Sequence, residues 1–246
     1  MTAKKAQKNY EIRSYECDKH GNLRLLTLMN IFQDIADSNA SEIGLGLEFC
    51  KERGLAWVGA SYHIIINSFP KLHQKISVIS WPAVEKKLGA YRDFLVLDES
   101  GQTMIKASSQ WILINFEKKR PVSLRDNLPE YSVIPERAVE TDFPKIEDLN
   151  DINNQQEFKI RFDDIDINKH VNNAVYPLWA TEAVGDEFRD AHQPQEIEIA
   201  FKKEALLGEK VLVESEITGN LSLHKIKSQS DERELARVKI KWISLL

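Results

Sequence analysis

Twice along the chain a single amphipathic helix is followed by a run of β-rich segments, and this order limits the fold more than any other feature. In the first half Leu25, Leu28, Met29, Phe32, Ile35 and Ala36 recur at helical spacing. That helix runs towards Gly44 and Gly46, where glycine accepts a left-handed stop. Strand patterns follow over 57–66, 75–80, 91–97 and 104–115, the last two separated by the turn Asp98-Glu99-Ser100-Gly101. From residue 117 to about 156 the periodicity collapses into charges and prolines, Pro121, Pro129, Pro135 and Pro144 among them, which reads as a linker. The order then resumes with a short strand over 158–162, a loop, a helix over about 173–188, and strands near 196–201, 211–218 and 235–243.

Laying Asp18 on Asp166 puts Gln33-Asp34 on Thr181-Glu182, and laying Lys75 on Lys210 puts 62–67 on 197–202. The first half therefore needs a longer helix or loop before its sheet. Strand-rich segments also resemble one another by chance, so the pattern alone leaves duplication and coincidence both open. The physical reading is an α+β fold in which each half wraps a curved antiparallel sheet around a mostly apolar helix. Two such sheets can join edge to edge, closing edges that would otherwise invite aggregation. The expected organisation is a first unit at 1–120, a linker at 121–156 and a second unit at 157–246.

Composition narrows the class of protein. With 42% hydrophobic and 29% charged residues over 246 positions, the chain has the make-up of a folded globular protein. A net charge of −5 gives no overall electrostatic support for nucleic-acid binding. Cys17 and Cys50 are too few for a disulfide framework and lack the paired spacing of a structural zinc site, so a reducing compartment is expected. The chain has no apolar run near the ~20 residues that a spanning helix needs, and no signal-peptide pattern, so neither secretion nor membrane insertion is expected.

The densest polar cluster runs from Asp163 to Asn173 between a strand and a helix, where side chains can converge without breaking regular structure. In it His170 can transfer a proton, Asn168 can hold a carbonyl or a water, and Asp166 can orient its neighbours. A helix cap accounts for one or two of these residues but not for all of them. Asp164, Asp166 and Asn168 fit the first, third and fifth positions of a calcium loop, but Lys169 and Val175 stand where that loop needs glycine and glutamate. Gly59-Ala60-Ser61-Tyr62-His63 ends in histidine and runs into a strand, unlike a serine-hydrolase elbow. Gly44-Leu45-Gly46 follows a helix and lacks the third glycine of a dinucleotide fingerprint. Cys17 and His20 have no second pair to complete a metal set. Glu204 ends an apolar strand where a bulge can turn it inward; read alone, it suits an exposed salt bridge better.

Taken together, the residues resemble the acyl-acyl carrier protein thioesterases, a family of plant plastid enzymes and bacterial relatives. Asp166-Ile167-Asn168-Lys169-His170-Val171-Asn172-Asn173, followed by Tyr176 and Trp179, is similar to the family's Asp-x-Asn-x-His-Val-Asn-Asn motif. The first half adds Phe32-Gln33-Asp34-Ile35-Ala36, Asn39-Ala40, Ala56-Trp57-Val58, Ser80-Trp81-Pro82, Arg92-Asp93-Phe94 and Ala107-Ser108-Ser109-Gln110-Trp111, in order. The resemblance covers nearly the whole chain and implies a tandem (double) hotdog fold. It implies catalytic roles for Asp166, Asn168, His170 and Glu204, with hydrolysis of fatty acyl-[acyl carrier protein] to free fatty acid as the reaction. The departure is Ala205, where plant enzymes usually carry cysteine, so water is the expected nucleophile and either Glu204 or Asp166 its base. The helix after Asn173 is expected to turn backbone N–H groups towards the developing oxyanion.

The first half lacks an acidic residue near Phe69-Pro70, and its loop Asp18-Lys19-His20-Gly21-Asn22 scrambles the motif, so one active site per chain is expected. The first half is then the candidate holder of the acyl tail, with Met29, Phe32 and Trp57 as tunnel residues or ordinary core. An acidic carrier protein is expected to dock on local basic residues such as Lys202, Lys203 or Lys118-Lys119-Arg120. No metal and no organic cofactor is expected. Neither a nucleic-acid nor a membrane partner is expected, and a homodimer stays open. Without a long N-terminal extension, a bacterial cytoplasmic enzyme is expected. An acyl-CoA thioesterase, a hydratase on the same fold and a non-catalytic acyl-thioester-binding regulator remain the alternatives.

Overall fold

The computed structural model describes residues 4–245. The chain forms two compact units, Met1–Phe143 and Pro144–Leu246. In the first, β1 (Ala6–Glu11) leads through a short 3-10 turn at Ser14–Glu16 to α1 (Leu25–Glu42) and α2 (Leu47–Glu52). Then come β2 (Leu55–Ile66), β3 (Lys75–Glu85), β4 (Gly89–Leu97), β5 (Thr103–Asn115), the two-residue β6 (Arg120–Pro121) and α3 (Leu124–Asn127). The sheet order is β1-β3-β4-β5-β2, every neighbouring pair antiparallel, with β6 on β5.

The apolar stripe of α1 explains how helix and sheet meet. Leu28, Met29, Phe32 and Ile35 are buried along it, and α1 packs on β3 and β1. Phe32 is fully buried and stacks on Phe94 of β4 with ring centroids 4.6 Å apart. Burying one such side chain stabilises the fold by roughly 1.5 to 3 kcal/mol, so this stripe largely determines which face of α1 meets the sheet. The helix stops at Gly44, whose φ of 75° is the left-handed conformation expected of a glycine stop.

The second unit repeats the plan. It contains β7 (Asn154–Lys159), a 3-10 turn at Phe162–Asp164, α4 (Val175–Glu182) and α5 (Asp186–Ala191). These are followed by β8 (His192–Phe201), β9 (Lys210–Thr218), β10 (Leu221–Ser228) and β11 (Glu234–Ser244). Its order, β8-β11-β10-β9-β7, matches β2-β5-β4-β3-β1 strand for strand, again all antiparallel. One helix expected over about 173–188 is instead two, because Gly185 at φ 88° breaks it.

Charged side chains fasten the irregular segments to each sheet. Asp93, fully buried on β4, accepts hydrogen bonds from Ser108 Oγ (2.6 Å), Arg137 Nε (3.0 Å) and the Ala138 N–H (2.6 Å). In the second unit Arg237 of β11 donates to the Ile146 carbonyl (3.3 Å) and pairs with Asp148 (2.9 Å), while Lys239 reaches Glu147 (2.9 Å). Inside that unit His224 bridges Ser215 and Ser222, each at 2.8 Å, and the Trp242 indole N–H donates to Ser222 Oγ at 2.8 Å. Burial pushes the His224 pKa down from 6.5 to about 3, so the imidazole is neutral in the folded protein.

Two stability predictions follow from these buried groups. Arg137→Ala strips the charge partner from buried Asp93 and is expected to cost roughly 3 to 5 kcal/mol in urea unfolding, against little for the exposed Lys118→Ala. For His224, the unfolded chain takes up a proton below pH 6.5 and the folded chain does not until about pH 3, so stability falls as pH drops through that window. Between pH 7 and pH 5 this group alone is expected to remove about 2 kcal/mol. His224→Gln should flatten the pH dependence by that amount; an unchanged slope would refute the assignment.

Candidate active site

The polar cluster is a tight turn closed by one carboxylate. Asp166 Oδ1 accepts the Asn168 N–H at 2.8 Å and the His170 N–H at 3.4 Å, and Oδ2 accepts from Asn168 Nδ2 at 3.3 Å. The Asp166 N–H donates to the His170 carbonyl at 2.8 Å, and the Asp166 carbonyl accepts the Lys169 N–H at 3.0 Å. The turn needs a left-handed residue at its fourth position, which Lys169 supplies at φ 67°. Just upstream, Asp164 caps the 3-10 turn, taking the Arg161 N–H at 2.8 Å and Arg161 Nη2 at 2.6 Å.

A second loop lies alongside this one. The Val171 N–H donates to the Ala205 carbonyl at 3.0 Å, the Ile160 N–H donates to the Glu209 carbonyl at 3.4 Å, and the Ala205 N–H donates to Tyr176 Oη at 3.2 Å. Fully buried Ala205 is thus held at both backbone groups, and its neighbour Glu204 faces the turn. His170 Nε2 lies 3.1 Å from Glu204 Oε2, with the histidine side chain 27% and the glutamate 50% exposed. This distance places the proton of a neutral His170 on Nε2 and leaves Nδ1 as an acceptor. Burial raises the Tyr176 pKa to about 12, so its hydroxyl stays un-ionised. Arg233 Nη2 donates to the Glu204 carbonyl (3.3 Å) and to Glu209 (2.6 Å), and Lys202 pairs with Glu234 at 2.6 Å. Tyr176, Val171 and Arg233 thus hold the loop of Glu204. Their part in the site was not read from the sequence, where Tyr176 served only as a marker of the motif.

The helix end is less available than expected. The Ala174 N–H is taken by Asn172 Oδ1 at 2.9 Å and the Val175 N–H by the Asn172 carbonyl at 2.9 Å, while Pro177 has no N–H to give. Asn168, exposed and using one amide hydrogen on Asp166, is better placed to donate to a bound carbonyl.

The other unit contains the same turn with different side chains. Asp18 Oδ1 accepts the His20 and Asn22 N–H groups at 2.9 Å each, the Asp18 N–H donates to the Asn22 carbonyl at 2.8 Å, and Gly21 is left-handed at φ 77°. The Leu23 N–H donates to the Pro70 carbonyl at 2.7 Å, the counterpart of Val171 to Ala205. Phe69, buried, therefore stands where Glu204 stands, and the loop has no carboxylate at that position. Of the candidate tail residues, Met29 and Phe32 are buried on α1. Trp57 packs elsewhere, in a small cluster with Cys50, Leu55, Leu113 and Leu124, its indole N–H on the Leu45 carbonyl at 3.2 Å.

Comparison with known proteins identifies the family and the fold. Residues 3–131 match the acyl-ACP thioesterase N-terminal domain and residues 147–244 the acyl-ACP thioesterase C-terminal domain. A chloroplastic acyl-[acyl-carrier-protein] hydrolase of Cuphea viscosissima is 29% identical over 212 residues, covering 80% of this chain and 51% of that protein. The chloroplastic oleoyl-acyl carrier protein thioesterase 1 of Arabidopsis thaliana is 26% identical over 216 residues, covering 80% and 60%. The chain spans about half the length of the first of these relatives. Among solved structures, a 12:0-ACP thioesterase from Umbellularia californica superposes with a TM-score of 0.85 at 23% identity, over 98% of this chain and 97% of that one. An acyl-ACP thioesterase from Bacteroides thetaiotaomicron does so at 0.85 and 22%, over 97% and 98%. At these identities the superpositions bear on the fold, which is the double hotdog. With both domain models matched in order, the chain belongs to the acyl-ACP thioesterase family.

Proposed function

We propose that this chain hydrolyses the thioester of a fatty acyl-[acyl carrier protein], releasing the free fatty acid and the carrier's thiol by direct attack of water. The observation that carries the reading is the 3.1 Å pair of His170 Nε2 and Glu204 Oε2, half open to solvent beside the amide of Asn168. Both oxygens of Asp166 are engaged inside the turn, so Asp166 serves as the positioning residue and Glu204 as the base. Glu204 accepts a proton from water as the water oxygen bonds to the thioester carbon. The carbonyl oxygen takes up the negative charge against Asn168 Nδ2. Collapse of that intermediate breaks the C–S bond, and the proton held by the Glu204–His170 pair passes to the departing thiolate. His170 Nε2–H fixes the carboxylate during attack. The route needs only water and these side chains.

The test is thiol release from one acyl chain carried on acyl carrier protein and on coenzyme A. Faster turnover on the carrier protein supports the reading; faster turnover on coenzyme A makes the chain an acyl-CoA thioesterase instead. Glu204→Gln is expected to lower kcat on the order of 100- to 10,000-fold while leaving the melting temperature within about a degree, because the side chain is half exposed. Retained turnover in Glu204→Gln together with an inactive His170→Ala would move the base to His170. Tyr176→Phe leaves the Ala205 N–H unpaired and should lower kcat about tenfold with KM little changed, through misplacement of Glu204.

A further inference from the structure

The direction of Glu204 is set by the peptide that follows it, and two side chains hold the two ends of that peptide. The Ala205 N–H donates to Tyr176 Oη at 3.2 Å, and the Glu204 carbonyl accepts Arg233 Nη2 at 3.3 Å. A planar peptide tied at both ends cannot turn freely, so the backbone of Glu204 is restrained and with it the path of the carboxylate away from the chain. Arg233 is itself fixed by charge. Its Nη2 meets both oxygens of Glu209, at 2.6 and 2.7 Å, and its Nη1 meets Asp231 at 2.7 Å. The side chains of Arg233 and Glu209 are only 27% and 20% exposed, so water screens this pair less than a surface one.

The first unit closes the same loop without charge. Gln74 stands where Glu209 does: its N–H donates to the Lys71 carbonyl (2.9 Å) and its Oε1 accepts the Lys71 N–H (3.0 Å), as Glu209 does with Leu206 at 3.2 and 3.1 Å. The Asn67 and Ser68 N–H groups donate to the Met104 carbonyl as those of Lys202 and Lys203 do to Leu235, which puts Gln102 opposite Arg233. A neutral amide thus serves this turn as well as a carboxylate does. The peptide matching Glu204–Ala205 is Phe69–Pro70, where the proline ring removes the N–H and narrows the conformations of the residue before it. What the ring restrains in one unit, hydrogen bonds from two side chains restrain in the other. The charged pair stands in the unit whose loop carries a carboxylate opposite the histidine. We propose, on the reading that Glu204 is the base, that Arg233 locked by Glu209 is a positioning residue: it aims Glu204 at His170 and so sets the rate of hydrolysis. Arg233 acts through the Glu204 carbonyl, not on the reacting atoms.

The test exchanges the pair for the residues of the first unit, Glu209→Gln and Arg233→Gln, singly and together, with thiol release measured on the acyl carrier protein substrate. Each single variant is expected to lower kcat about tenfold with KM within twofold. The double variant should lose no more than either single one, because the two residues act as a unit. Guanidinium ion at millimolar concentration is expected to restore part of the kcat of Arg233→Ala, and urea at the same concentration is not, a difference that a merely structural role would not produce. Unchanged kcat in either single variant would overturn the proposal. So would a loss carried by KM, a loss in the double variant equal to the product of the single losses, or a loss that follows the unfolded fraction at the assay temperature. Wild-type protein that hydrolyses thioesters of neither carrier refutes the proposed reaction, and the positioning role with it. Active wild type matched by all the variants refutes the positioning role alone.

Discussion

Everything at the site depends on one aspartate carboxylate accepting backbone N–H groups. Asp166 fixes the conformation of four following residues through Asn168 and His170, and hydrogen bonds to a charged acceptor contribute about 1.5 to 3 kcal/mol each. The turn would otherwise cost the entropy of ordering an exposed loop and the strain of a left-handed Lys169. Once it is closed, the only freedom left to His170 is its side chain, which points at Glu204. The same bonds decide which carboxylate is free to react. Asp166 is engaged by its own turn, whereas the Glu204 carboxylate meets His170 and keeps an open flank.

The duplicated fold makes this division of labour visible within a single chain. Asp18 closes the turn of the first unit as Asp166 closes that of the second, and Leu23 reaches Pro70 as Val171 reaches Ala205. What differs is side chains on a common backbone: His20 and Asn22 against Asn168 and His170, and Phe69 against Glu204. Phe69 is buried, so the first unit uses that position to fill its interior. The second presents a half-exposed carboxylate there. Stability and chemistry are thus separated by position, with the turn aspartate serving both units and the carboxylate opposite serving one.

These relations explain what was legible in the sequence. The Asp18–Asp166 alignment holds in three dimensions because each aspartate closes a hydrogen-bonded turn whose chemistry is local, and the Lys75–Lys210 alignment holds because each lysine opens the strand that pairs with the first strand of its unit, opposite Glu11 and Lys159. The long helix α1 was readable because its stripe is purely apolar. Besides the two-residue β6, two strands escaped notice, for opposite reasons. β1 is an edge strand without a fully buried residue, and β10 buries Ser222, His224 and Ser228 on its inner face, so hydrophobic alternation fails in both. The break at Gly185 was hidden because helical periodicity continues across it to Phe188. The grip of Tyr176 and Val171 on Ala205 joins residues far apart in sequence, and no local pattern announces it.

Ala205 bears directly on the choice of nucleophile. Its side chain is fully buried and both of its backbone groups are tied, so whatever stands at this position is sealed from water and held still. A cysteine here would carry its thiol into an apolar interior, where burial disfavours the thiolate that nucleophilic attack needs. Alanine loses nothing by comparison: the position serves to hold the loop, and it does so with less volume to accommodate. In the proposed reaction the reacting groups are those that the held loop leaves outside, Glu204 with His170, on the wet side of Ala205. For the proposed hydrolysis, the burial of position 205 therefore favours attack by water over attack by a side chain placed there.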